Sequence, residues 1–130
     1  MVGIVVVSHS AKIAEGIKDI TKQIADKNLK IIAAGGMADG AIGTDAVIIS
    51  EAVLEANTGD GVVILVDLGS TVLSTYMALE LLDESVQKSV RIADAPIVEG
   101  AISAVVQATV DSSVDEVVAV TEEARNISKL

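Results

Sequence analysis

Three short, largely apolar runs constrain this chain more than anything else in it: residues 2–8, rich in β-branched side chains, 29–34 and 62–66. Each has strand length and none alternates with polar residues. That pattern suits strands buried on both faces of a parallel sheet. A shorter run at 90–93 reads as a fourth strand. Helical patterns fill the gaps. Ile13, Ile17, Ile20 and Ile24 recur at spacings of four, three and four, one stripe of an amphipathic helix. Thr44 is placed to cap a second helix running to about Ala56, with Asp45 in its first turn. A third helix follows Asp67-Leu68-Gly69-Ser70-Thr71 and reaches about Leu82. Pro96, the only proline, suits the first turn of a helix over 97–110, and Asp111-Ser112-Ser113 precedes a last helix over 114–127.

The order β-α-β-α-β-α-β-α-α predicts one domain, 1–130, of class α/β. It is a three-layer α/β/α arrangement around a central, mainly parallel sheet of about four strands, with order 2-1-3-4 taken by analogy with flavodoxin-like sheets. Apolar residues at 51% and charged residues at 22% support a packed core and not a disordered chain. The helix over 97–110 has almost no polar face. It is therefore expected to be covered twice, either at a dimer interface or beneath the last helix.

In open α/β sheets ligands bind beyond the carboxyl ends of the strands, where the strand order reverses. With order 2-1-3-4 that point lies between the first and third strands. The loop after the first holds Ser8-His9-Ser10 and the loop after the third holds Asp67-Leu68-Gly69-Ser70. His9, the only histidine, and Asp67 should therefore face each other, with the glycine-rich loop 35–43 closing a third side. A lone histidine is ordinarily a surface or core residue, but this one stands at a strand tip, before a helix start, between two hydroxyls.

Composition narrows the chemistry. With no Cys and one His there is neither a thiolate nor a histidine-rich metal site, so no metal is expected on this chain. A net charge of −10, with no Phe or Trp, leaves no basic face or stacking platform for nucleic acid. The first apolar run lacks a basic lead and is too short to span a membrane, which predicts a cytoplasmic protein. Ser70 lacks the G-x-S-x-G elbow of a serine hydrolase, and loop 35–43 lacks the lysine of a Walker A loop.

A phosphoryl-accepting imidazole needs less: an exposed ring, a carboxylate to set its tautomer, and N–H donors for phosphoryl oxygens. His9 is the candidate acceptor and Asp67 the candidate support, although a strand-end aspartate also commonly caps the next turn. Ser10, Gly35, Gly36, Thr44, Gly69 and Ser70 are the candidate phosphoryl-binding residues. Two other readings stand beside this one. Asp67 would be the phosphoacceptor of a receiver-like domain, or His9 would be incidental in an interaction domain.

Gly3-Ile4-Val5-Val6-Val7-Ser8-His9-Ser10, Ile42-Gly43-Thr44-Asp45-Ala46-Val47, Asp67-Leu68-Gly69-Ser70, Ala78-Leu79-Glu80-Leu81-Leu82 and Ala95-Pro96-Ile97-Val98-Glu99-Gly100-Ala101 together resemble a known family. It comprises the phosphotransferase (DhaM) subunits of phosphoenolpyruvate-dependent dihydroxyacetone kinases, relatives of the mannose-type enzyme IIA domains of the sugar phosphotransferase system. The resemblance implies that His9 becomes a transient phosphohistidine, loaded by the phosphocarrier HPr and supported by Asp67. It implies transfer to ADP held on a DhaL subunit, while DhaK binds dihydroxyacetone. It also implies a homodimer, and it assigns magnesium and ADP to DhaL, so no cofactor is expected on this chain. Some of these subunits carry further HPr-like and enzyme I-like domains, whereas this chain ends at Leu130. Mannose-type sugar transporters have a longer glycine-rich loop after the third-strand aspartate than Asp67-Leu68-Gly69-Ser70-Thr71, so a sugar-transport component is the alternative.

Overall fold

The computed structural model describes all residues, Met1–Leu130. Its elements are β1 (Gly3–Ser8), α1 (Ala11–Lys22), β2 (Ile31–Gly35), α2 (Ala46–Ala56), β3 (Val62–Val66), α3 (Gly69–Glu80), α4 (Glu84–Gln87), β4 (Val90–Ile92), α5 (Ile97–Thr109) and α6 (Val114–Glu123), with a 3₁₀ turn at Ala124–Asn126. The sheet has four strands in the order β2-β1-β3-β4, and every pairing is parallel. The fold is therefore the α/β sandwich expected, with the expected strand order.

Strand pleat divides the core in two. Ile4 and Val6 of β1, with Val63 and Leu65 of β3, face α1, α5 and α6. Val5 and Val7, with Val62 and Ile64, face α2 and α3. The central strands are apolar throughout because both faces of the sheet are covered. At full burial a Val or Ile side chain contributes about 1.5–3 kcal/mol, so these two strands dominate the core.

Two local expectations change, one short helix is added, and one choice left open by the sequence is resolved. The first helix does not bury its isoleucine stripe. Ala14, Ile17 and Thr21 are buried, whereas Ile13 and Ile20 are 50% exposed and Ile24 is 46% exposed. Small Ala14 lets the helix lie close to the sheet. Thr21 is tolerated in the core because its hydroxyl donates to the carbonyls of Ile17 and Lys18. The second helix is capped by Asp45, not Thr44: Asp45 Oδ1 accepts the N–H groups of Val47 and Ile48 at 2.8 and 3.3 Å. The short helix α4 was not anticipated from the sequence. Finally, α5 does not need a dimer partner to cover it. Gly100, Ala101, Ala104, Val105 and Ala108 are buried between the sheet and α6, the second of the two arrangements its composition allowed.

The rotation of α1 gives a direct test. In urea denaturation, Ile17→Ala should destabilise the fold by about 2–5 kcal/mol, as buried truncations do. Ile20→Ala should cost no more than about 0.5 kcal/mol. Equal losses would show that the whole isoleucine stripe faces the core.

Candidate active site

β1 ends at Ser8 and β3 at Val66, neighbours in the sheet, so the next residues of each strand meet at its carboxyl edge. His9 and Asp67 are those residues. The backbone N–H of His9 donates to Asp67 Oδ2 at 2.9 Å, and the Ser8 hydroxyl donates to the same oxygen at 3.0 Å. The other oxygen, Oδ1, accepts from Thr71 Oγ1 at 2.6 Å and from the N–H of Leu68 at 2.8 Å. Burial alone would push the Asp67 carboxyl upward. The bonds from Thr71, His9, Ser8 and Leu68 outweigh it and hold the group well below the usual carboxylate range. Asp67 is thus an anion held by donors from two loops.

The imidazole leans on that anion. His9 Nδ1 lies 3.2 and 3.3 Å from the two Asp67 oxygens and 3.1 Å from Thr71 Oγ1. The single Thr71 hydroxyl hydrogen is directed to Asp67, so Thr71 offers Nδ1 a lone pair. Three acceptors around one ring nitrogen place the ring proton on Nδ1. The lone pair of the neutral imidazole then lies on Nε2, on the solvent side, 3.0 Å from Ser70 Oγ.

Ser70 lies in the first turn of α3, where the N–H groups of Gly69 and Ser70 have no carbonyl partner, while that of Thr71 donates to the Leu68 carbonyl at 3.0 Å. Gly69 opens that turn, and a side chain there would meet nothing within 4 Å. Nε2 therefore points toward a helix N-terminus with open space and donors, a geometry suited to an incoming anion.

The remaining sequence candidates occupy supporting positions. The Ser10 side chain caps α1 by accepting Ile13 N–H at 3.4 Å, and its own N–H donates to Ser8 Oγ at 3.1 Å. Gly35 is a close-packing point, since a Cβ there would sit 2.5 Å from the Ser10 carbonyl oxygen. Gly36 turns the chain at φ 72° and donates its N–H to the Ser8 carbonyl at 3.1 Å. Thr44 lies away from the imidazole and meets Ser74 Oγ of α3 at 2.6 Å. Between them, Gly43 N–H donates to the His9 carbonyl at 2.8 Å, so the glycine-rich loop grips the histidine through its backbone. Sequence reasoning missed the side chains of Ser8 and Thr71. The four-residue step from Asp67 to Thr71 was the available signal, because it spans one turn at a helix start.

Fold and site together describe an α/β domain that presents one tautomer-fixed imidazole at the switch point of a parallel sheet. Residues 3–118 match the EIIA-man family model, described as the PTS system fructose IIA component. The chain belongs to this mannose-type enzyme IIA family. It is 41% identical over 113 residues to the phosphoryl donor subunit DhaM of PEP-dependent dihydroxyacetone kinase 2 from Listeria innocua, covering 87% of this chain and 90% of that one. It is 39% identical over 121 residues to the corresponding DhaM of Escherichia coli K12, covering 91% of this chain and 26% of that longer protein. The crystal structure of the protein of unknown function EF1359 superposes with a TM-score of 0.84 at 36% identity, covering 100% of this chain and 98% of that one.

The sign of the pH dependence follows from Asp67. Its folded-state pKa is depressed below the ordinary 3.8, so its stabilisation is complete above that value and fades as pH falls toward the folded-state pKa. The stability difference between wild type and Asp67→Asn should be largest near neutral pH and shrink steadily below about 4. Parallel urea titrations from neutral to acid pH measure it. A difference that is flat across this window would show that the carboxylate is not preferentially ionised in the folded state.

Proposed function

We propose that this chain is the phosphoryl donor subunit of a phosphoenolpyruvate-dependent dihydroxyacetone kinase, and that it carries the phosphoryl group on His9 Nε2. The observation that carries this reading is the pairing of Nδ1 with Asp67, which leaves the Nε2 lone pair facing the open first turn of α3. The DhaM names of its relatives support the kinase assignment over a sugar-transport component.

In the loading step the Nε2 lone pair attacks the phosphorus of a phosphoimidazole on HPr. A new N–P bond forms as the donor's N–P bond breaks, and the donor nitrogen leaves with its electron pair. His9 keeps its proton on Nδ1, where the Asp67 anion offsets the positive charge that spreads over the ring. The Ser70 hydroxyl and the N–H groups at the start of α3 face the phosphoryl oxygens. There is little covalent work for the protein in such a transfer. Positioning and charge stabilisation supply the catalysis. The reverse motion of electrons delivers the group to ADP on a DhaL subunit, where magnesium and nucleotide reside; DhaK holds the dihydroxyacetone. The chain itself holds no cofactor, and the setting is the cytoplasm. No helix is long and apolar enough to cross a membrane.

The receiver reading, with Asp67 as the acceptor, is disfavoured by the same geometry. Both carboxylate oxygens already accept bonds from Thr71, Leu68, Ser8 and His9, which lowers their nucleophilicity. A homodimer would find its face on α3, not on α5: Leu73, Tyr76, Met77 and Leu81 are between 57% and 68% exposed.

Incubation with phosphoenolpyruvate, enzyme I and HPr should add one phosphate to the wild type, read by intact mass. The adduct should be labile in acid and stable in alkali. His9→Ala should take none, and Asp67→Asn should load about a hundredfold more slowly while remaining folded. Alkali-labile label, or undiminished label on His9→Ala, would reject the assignment. In sedimentation the wild type should run as a dimer and Met77→Glu should shift toward monomer. A wild-type monomer at micromolar concentration would reject the dimer.

A further inference from the structure

Asp67 has more donors around it than lone-pair sites to receive them. Oδ2 accepts from the Ser8 hydroxyl at 3.0 Å and the His9 backbone N–H at 2.9 Å. Oδ1 accepts from the Thr71 hydroxyl at 2.6 Å and the Leu68 N–H at 2.8 Å. Those four bonds fill the roughly four sites that a carboxylate offers. The ring N–H of His9 is a fifth donor, and it stands 3.2 and 3.3 Å from the two oxygens, shared between them and close to neither. Hydrogen bonds to an ionised carboxylate ordinarily run shorter, about 2.7–2.9 Å. Asp67 by itself is therefore a poor acceptor for the Nδ1 proton.

Thr71 Oγ1, 3.1 Å from Nδ1, meets that need. A hydroxyl has one hydrogen and two lone pairs. The hydrogen lies on the line to Asp67, because an ionised carboxylate has no proton to give. Both lone pairs are then free, and Nδ1 is the only donor that reaches them. In the opposite arrangement, with Thr71 donating to a bare Nδ1, Asp67 Oδ1 would lose its shortest bond. Thr71 is fully buried, so bulk water does not compete for its oxygen. Its backbone is fixed on both sides. The N–H donates to the Leu68 carbonyl at 3.0 Å, and the carbonyl accepts the Thr75 hydroxyl at 2.8 Å.

We infer, resting on the phosphohistidine reading of His9, that Thr71 sets the tautomer of the imidazole and is a positioning residue for phosphoryl loading, with Asp67 acting on the ring largely through it. The carboxylate fixes the direction of the hydroxyl. The hydroxyl holds the proton on Nδ1, and the Nε2 lone pair is left facing the start of α3. Ser70 cannot do this work, since it meets Nε2 and not Nδ1. A buried threonine at a helix start also has a purely structural use, which is to tie α3 to the end of β3 through Asp67. The two roles differ in what happens to the ring proton.

Three variants of the full chain separate them. Thr71→Val and Thr71→Ala remove the hydroxyl, the first keeping the side-chain shape and the second adding nothing beside the ring. Thr71→Ser keeps the hydroxyl. Long-range ¹H–¹⁵N spectra, at mildly alkaline pH where imidazoles are neutral, read which ring nitrogen of the only histidine bears the proton. Loading from phosphoenolpyruvate, enzyme I and HPr is followed by intact mass. Nδ1–H should dominate in wild type and in Thr71→Ser, and the serine variant should keep most of the loading rate. In Thr71→Val and Thr71→Ala the Nε2–H share should grow at least about fivefold. Their loading should slow about 10–100-fold, as the loss of a partner behind a functional histidine does. An unchanged tautomer in the variants without a hydroxyl, whatever their loading rate, would overturn the inference, and so would Thr71→Ser loading as slowly as Thr71→Val. The spectra need no phosphoryl donor. A wild type that takes no phosphate would therefore reject His9 as the carrier, while the tautomer result still decides what Thr71 does to the ring.

Discussion

The site depends on one partly buried anion. Asp67 is separated from His9 by most of a βαβαβ span, yet its two oxygens accept bonds from Ser8 and His9 on one loop and from Leu68 and Thr71 on the other. A carboxylate has room for about four such bonds; here two join the ends of β1 and β3, and the other two tie Asp67 to the start of α3. Remove the charge and the carboxyl edge of the sheet loses its cross-link and the histidine loses its tautomer. Structural support and the proposed reactivity therefore rest on the same group.

The surroundings convert that support into direction. Proton placement on Nδ1 points the nucleophilic lone pair outward, and the start of α3 supplies donors where an anion would arrive. The glycine-rich loop contributes rigidity and not side-chain chemistry. Gly43 holds the His9 carbonyl, Gly35 allows close passage beneath α1, and Thr44 ties the loop to Ser74 of α3. Residues expected to touch a phosphoryl group thus divide into those near Nε2, Gly69 and Ser70, and those that hold the backbone around it.

Periodicity made the frame legible. Continuous apolar runs identify strands buried on both faces, and a parallel sheet then requires helical crossovers, so the layers and their order followed. The same logic places His9 opposite Asp67. Burial on the helices was less legible. The stripe on α1 turned out half exposed because the sheet accepts small Ala14 and self-satisfied Thr21 in place of Ile13 and Ile20. The apolar character of α5 did not say what covers it, since a helix and a second protomer are equally apolar partners. Ser8 and Thr71 were missed because a hydroxyl at a strand or helix end satisfies many local patterns, and only coordinates show which acceptor it finds.

What the sequence determined by itself was the alternation of strand and helix, the class of fold, and a single imidazole at the tip of the first strand opposite an aspartate. These follow from hydrophobic period and chain order, which are local properties. What the tertiary structure decided was which ring nitrogen of His9 lies against Asp67, the network that keeps Asp67 ionised, and the face of each helix that meets the sheet. Those depend on distances of about 3 Å between residues far apart in the chain, and hydrogen bonds lose strength within a fraction of an ångström beyond that.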